Sequence, residues 1–317
     1  MTTAHQNRTF IADLQHETIL TIEGPDASKF LQGQVTCDIR EIIQKSSLGA
    51  HCTHKGRMLF SFLALASSPE KIYLRLPHEQ SQSALAALNK YIIFSKAKAE
   101  KISDDCLQLG IWGPDARSTI TSTFGHCPKA RSAFIQTEKH TVIEVDDSRF
   151  ECWLHSSNTI DNTSTLSKLQ QNTAPSNFKH WQLEDIQSGI GHVYAPNTEL
   201  FIPQMLNYQA LGAISFNKGC YTGQEIVARM KYHGKIKRHM YRVRGETSSP
   251  PQPGAPIFST GGERSVGSVV IASQIDSGFE ALLVAKASNV ETQTLFLDTQ
   301  QQQKLTLLEL PYAVDEE

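Results

Sequence analysis

A chain of 317 residues with 39% hydrophobic and 20% charged side chains has the makeup of a globular protein, and its length exceeds what one hydrophobic core serves, so two or three domains are expected. A formal net charge of −2 supplies no general attraction to polyanions and argues against a dedicated nucleic-acid binder. Six cysteines at irregular spacing, no signal segment in residues 1–10 and no apolar stretch of bilayer length together predict a cytoplasmic protein in a reducing compartment, without a membrane partner.

Residues 18–22 form a β-rich run stopped by Gly24-Pro25-Asp26-Ala27, and residues 107–112 form another stopped by Gly113-Pro114-Asp115-Ala116. Each reads as strand, turn and helix, with the helices over 28–32 and 117–121. Chance explains one such echo, because Gly-Pro-Asp is common turn chemistry; the preferred explanation is two α+β subdomains of related build. Between them, alternation over 58–66 and 71–76 predicts a hairpin turning at Ser67-Ser68-Pro69, and 81–91 reads as an amphipathic helix. Further strands are predicted at 134–136, 142–145 and 150–154.

Residues 156–177 are rich in Ser, Thr, Asn and Gln and read as a connecting segment with at most one short helix. A helix is expected over 178–186, carrying Trp181, whose plainer role is as a core side chain. Four prolines and a glycine near 247–256 set a second boundary. Short β runs at 266–271, 281–284 and 305–310 then close most naturally as a small β-barrel. The expected division is an α+β body at 1–246 and a barrel domain at 247–317.

The most informative segment is Lys218-Gly219-Cys220-Tyr221-Thr222-Gly223-Gln224-Glu225. Thr222 and Glu225 have capping-box spacing, so the positive end of a helix dipole is expected to face the loop holding Cys220. A thiol there, close to Lys218, favours the nucleophilic thiolate. The plainer reading is a small buried residue after a glycine turn. Two glycines, a lysine and a tyrosine within reach of one cap exceed what packing requires, so the functional reading is preferred.

Other chemistry is sparser. His51, Cys52 and His54 lack zinc-site spacing, no four-cysteine cluster pattern is present, and Gly189-Ile190-Gly191 is too short for a dinucleotide fingerprint; no metal is expected. Arg229, Lys231, Lys235, Lys237, Arg238, Arg242 and Arg244 form a basic set that reads either as a solvated helix end or as an anion-recognition patch.

Four runs surround the cysteine motif: Phe201-Ile202-Pro203-Gln204, Asn207-Tyr208-Gln209-Ala210-Leu211-Gly212, Ile214-Ser215-Phe216-Asn217 and Ile226-Val227-Ala228-Arg229. With weaker matches at Gln32-Gly33-Gln34-Val35-Thr36, Lys55-Gly56, Tyr91 with Phe94-Ser95-Lys96, and Leu310-Pro311-Tyr312, they give the chain a pattern that resembles the YgfZ family. The resemblance implies an α+β fold: a ring-like folate-binding body of two related subdomains, similar to the T-protein of the glycine cleavage system, with a C-terminal barrel. It also implies a tetrahydrofolate-binding accessory factor for assembly or repair of iron–sulfur enzymes, including those that thiolate tRNA, with these enzymes as transient partners.

In that reading Cys220 is a redox or sulfur-handling thiol aided by Lys218, and Trp181 stacks on the pterin. Gln187 stands where the T-protein carries a pterin-binding glutamate, and Tyr221, Gln224, Glu225 and Arg229 complete the expected cofactor-binding set. A second family aromatic is replaced by Glu17, a departure that bears on the folate geometry. The alternative is a folate-dependent aminomethyl or one-carbon transferase, for which the T-protein's catalytic aspartate has no assignable counterpart. Direct RNA binding is a third reading, disfavoured by the net charge.

Overall fold

The computed structural model describes residues 8–102, 106–155, 159–232, 234 and 236–314. Most of the amino-terminal expectation for residues 1–10 therefore lies outside the described residues. The chain begins with β1 (Phe10–Asp13), β2 (Glu17–Glu23), α1 (Ala27–Gln32), β3 (Ser47–Cys52), β4 (Met58–Ser68), β5 (Lys71–Pro77), α2 (Ser81–Ile92) and β6 (Lys98–Lys101). Next come β7 (Leu107–Trp112), α3 (Ala116–Phe124), β8 (Phe134–Gln136), β9 (His140–Asp146), β10 (Arg149–Leu154), α4 (Thr159–Gln171), β11 (Ala174–Pro175) and α5 (Phe178–Gln187). The remainder is α6 (Gln224–Tyr232), β12 (Arg238–Gly245), β13 (Pro256–Ser259), β14 (Gly267–Ile275), β15 (Gly278–Lys286), α7 (Ala287–Thr292), β16 (Leu295–Phe296) and β17 (Lys304–Leu308).

The strands form a six-stranded sheet in the order β11-β1-β7-β10-β9-β8, a five-stranded sheet in the order β3-β4-β5-β2-β6, and a closed barrel β12-β15-β14-β13-β16-β17. The chain divides into two compact units, one comprising residues 1–30, 39–47 and 63–181 and the other residues 31–38, 48–62 and 182–317. No helix among the described residues is long and apolar enough to cross a membrane.

In the first unit the repeated Gly-Pro-Asp-Ala turn is one structure used twice. Gly24 (φ +136°) and Gly113 (φ +119°) both adopt a conformation that a side chain resists, and a Cβ on either would lie 2.4 Å from a backbone carbonyl, that of Lys96 or of Arg8. Ala27 and Ala116, which open the two helices, are both fully buried. The six-stranded sheet packs Ile111, Phe150 and Val142 against Ile120 of α3. Residues 156–177 do more than connect: α4 spans 13 residues and sends Leu166 and Leu169 into this core. Two leucines three positions apart give a polar helix an adhesive stripe that average composition conceals.

In the second unit the barrel encloses Val243, Ile257, Val269, Phe279, Leu283 and Leu295. Its first strand, β12, precedes residue 247, so the prolines at 250–256 punctuate a connection inside the barrel and do not mark its beginning. A second core joins Ile186, Phe201, Leu206 and Tyr208 to Met240 and Val270 of the barrel strands. The 310–312 tail belongs here as well. The Tyr312 hydroxyl donates to the Gly189 carbonyl at 2.7 Å, and a Cβ on Gly189 (φ +66°) would lie 2.7 Å from the tyrosine ring.

Candidate functional site

The cysteine loop lies on residues 33–37, and its neighbours explain why so many polar residues occur in it. Lys218 is buried, yet its Nζ donates to the carbonyls of Val35 and Cys37, each at 2.8 Å, and lies 5.1 Å from the centre of the Tyr221 ring. Those two acceptors compensate the burial of an ammonium group, so Lys218 anchors the loop. The Thr222 amide donates to the Gly33 carbonyl at 3.2 Å and its hydroxyl donates to Gln34 Oε1 at 3.4 Å. From below, the His51 ring donates through Nδ1 to the Gln34 carbonyl at 2.8 Å, and burial holds this histidine below its ordinary pKa.

The expected capping box does not form. Gly223 takes a left-handed φ of +85°, so α6 begins at Gln224 and the Thr222 hydroxyl turns to Gln34. Gly223 also meets a second glycine. A Cβ there would lie 2.5 Å from the Thr53 carbonyl and 3.2 Å from the Gly56 Cα, while a Cβ on Gly56 (φ +69°) would lie 3.0 Å from Cβ of Ile226. The Thr53–Arg57 turn, closed by a 2.9 Å bond from the Gly56 amide to the Thr53 carbonyl, thus docks directly on the loop. Lys55-Gly56 and the cysteine motif form one contact surface.

Cys220 is the exposed thiol of the chain. Burial pushes Cys52 up to about 12, and burial followed by Glu151 pushes Cys106 up to about 12. Cys127 is raised chiefly by burial, as is Cys152. Tyr221 faces the floor of the loop: its hydroxyl is buried without a hydrogen-bond partner and is held above its ordinary pKa by burial, then by Cys52 and Cys37. Gln224 is half-buried, whereas Glu225 and Arg229 are exposed along α6.

A GCVT N-terminal domain model matches residues 2–184. The tRNA-modifying protein YgfZ of Cronobacter sakazakii is 35% identical over 314 residues, covering 96% of this chain and 94% of its own length. The chain belongs to the YgfZ family. Glycine cleavage system aminomethyltransferase T from Bartonella henselae superposes with a TM-score of 0.75 at 15% identity, covering 99% of this chain and 88% of that one. The expected T-protein-like α+β fold with a closed carboxy-terminal barrel is therefore present.

Two expectations, one from the family resemblance and one from the charge pattern, change in the structure. Trp181 is only 1% exposed; it packs edge-on against Trp112 at 5.7 Å and directly over Gly110, with the Arg149 guanidinium 5.4 Å from its ring. The indole therefore acts as core, without a free face for stacking. The basic set also does not stand as one patch. Arg242 pairs with Glu280 at 2.6 Å, Arg244 bonds Ser277, and Lys231 sits 4.0 Å over the Phe216 ring, leaving Arg229 and Lys237 exposed. Lys235 lies outside the described residues.

Glu17, read from the sequence as replacing a family aromatic, has its own structural logic. It lies 3.3 Å from Arg75, which also holds Glu151 at 3.0 Å, and the Trp153 indole donates to Glu151 at 2.8 Å. Glu17 alone of the three lines a cleft of about 300 Å³, together with Thr18, His78, Cys106 and Gln108. Gln187 ends α5 half-buried, and its side-chain amide makes no hydrogen bond to a described residue. The sequence did not connect Gln34 and its neighbours at 33–37 with the cysteine loop that they hold. Their signal was present, since Gln32-Gly33-Gln34-Val35-Thr36 is itself a YgfZ match, but its contact with the cysteine loop spans about 180 positions of sequence.

Proposed function

We propose that this chain is a cytoplasmic tetrahydrofolate-binding accessory factor for iron–sulfur enzymes, including those that thiolate tRNA, and that it acts through the Cys220 thiol. Support comes from family membership, the name of the Cronobacter relative and, above all, one observation: the exposed thiol sits on a loop whose flanking residues are tied down by Lys218, Thr222 and Gly223. A fixed loop presents a nucleophile without an ordering cost at each encounter. The enzymes it serves are the transient partners in this reading.

The residues fit a folate in part. Gln187 keeps an amide that can both donate and accept at a pterin edge, and exposed Arg229 offers a cation to a carboxylate tail. Bound tetrahydrofolate would supply one-carbon carrier chemistry. Calorimetric titration of the purified chain with tetrahydrofolate tests the reading. Binding that weakens in Gln187→Leu supports it, and absence of binding refutes the cofactor assignment. Folate-dependent ammonia release from an aminomethyl donor would move the protein to the transferase class.

A further inference from the structure

Helix α2 shows what the core asks of this part of the first unit. Ala84, Leu88 and Ile92, four positions apart, are buried and form its inward stripe. Ile93 and Phe94 follow at once and fall off that stripe. At 73% and 85% exposure they are the most exposed large apolar side chains among the described residues. They do not sit on a loose end. The Phe94 amide donates to the Tyr91 carbonyl at 3.4 Å, and the Ser95 amide donates to the Ile92 carbonyl at 2.8 Å. Asp26 then holds the next residue twice, accepting from the Lys96 amide through Oδ2 at 2.8 Å and donating its own amide to the Lys96 carbonyl at 3.3 Å. Gly24 leaves room for that carbonyl, which a Cβ would meet at 2.4 Å.

A fixed aliphatic and aromatic pair in water is an unfilled contact. Covering it removes apolar area from water and costs little conformational freedom, because the turn is already ordered. Charge selects what covers it. Lys90 in the last turn of α2 and Lys96 two residues beyond Phe94 are exposed, and neither makes an ion pair with a described residue. On the adjoining strands the charge is balanced: Lys98 pairs with Glu100 at 3.0 Å and stands opposite Glu23, which Lys71 approaches at 3.7 Å. We infer that Ile93 and Phe94 anchor a partner protein that offers an apolar pocket with a carboxylate rim. A second copy of this chain fits poorly, because a two-fold contact would set lysines against lysines. Single-stranded RNA fits poorly as well, since Glu23 and Glu100 interrupt a phosphate track and Ile93 cannot stack on a base. The inference is independent of the thiol and cofactor readings.

Replacing Phe94 by the photo-crosslinker p-benzoylphenylalanine in the full chain, irradiating living cells and mapping the adduct by mass spectrometry tests the inference. The expected adduct is with one protein, at an apolar surface bordered by Asp or Glu. That protein, once identified and purified, is expected to bind the unmodified chain in calorimetry, more weakly as salt is raised. Phe94→Ser should weaken this binding about thirtyfold, the loss that truncating an interface anchor gives. Lys90→Glu combined with Lys96→Glu should weaken it about tenfold, and arginine at both positions should retain it. Thermal stability should be unchanged in Phe94→Ser, because the ring is exposed. Adducts only with RNA or with a second copy of this chain, adducts spread over many proteins, or no adduct would overturn the inference. So would a purified partner whose affinity is unchanged in Phe94→Ser, or a loss of stability in that variant, which would make the ring a packing residue.

Discussion

Replacing Gly223 by alanine probes the contact that joins the cysteine loop to the Thr53–Arg57 turn. A side chain at φ +85° costs roughly 1–2 kcal/mol in conformational strain. The added Cβ would also lie 2.5 Å from the Thr53 carbonyl and 3.2 Å from the Gly56 Cα, both backbone atoms that cannot swing aside. Forcing them apart adds about 1–3 kcal/mol by analogy with overpacked cores, for a total of about 2–5 kcal/mol. Gly212 is the internal control: its φ is +68°, but a Cβ there meets nothing within 4 Å, so Gly212→Ala should lose only the strain, about 1–2 kcal/mol. Urea unfolding followed by circular dichroism measures both. Equal losses in the two variants would refute the docking of loop on turn, because the difference between them is what reads that contact.

Brief iodoacetamide treatment followed by peptide mapping should label Cys220 first, since a thiol held at about 12, such as Cys52, is ionised in only about one part in ten thousand at pH 8. Labelling spread evenly over the cysteines would contradict this. Arg75→Met leaves the Glu17 and Glu151 carboxylates buried without their shared cation and should cost about 3–5 kcal/mol in thermal unfolding. A loss below about 1 kcal/mol would show that the triad is not coupled. The His140 ring is held down to about 4 by burial, then by His126, His155 and Lys139. Its folded pKa lies below the ordinary 6.5, so its contribution is complete above pH 6.5 and is lost as pH falls towards 4. His140→Gln should therefore flatten the pH dependence of stability across that window, and an unchanged slope would rule this histidine out.

Local signals proved legible wherever one residue type answers one backbone demand. The Gly24 and Gly113 turns could be paired from sequence because only glycine tolerates their φ beside a carbonyl, and the short β runs after residue 256 closed as the expected barrel. Spacing misled where a neighbour distant in sequence competes for the same atom. Thr222 and Glu225 stand at cap distance, but Gln34 takes the threonine hydroxyl; Lys218 stands two residues from Cys220, but two carbonyls from 35 and 37 receive its ammonium. Charge runs mislead for the same reason. Arg242 and Arg244 look continuous with Arg229 until β12 pairs with β15 and brings Glu280 to Arg242. The indole of Trp181 could not be assigned from sequence, since a stacking platform and a core residue use the same helix position.

Function through the Cys220 thiol is tested most directly by Cys220→Ser in cells lacking the native protein, with iron–sulfur enzyme activity as the readout and thermal stability and tetrahydrofolate affinity measured on the purified variant. Serine keeps the size of the side chain at an exposed position and removes its nucleophilicity and oxidation chemistry. The expected result is loss of iron–sulfur enzyme activity with stability and folate affinity nearly unchanged. Full activity in the serine variant would contradict the proposal and return this loop to a purely structural role.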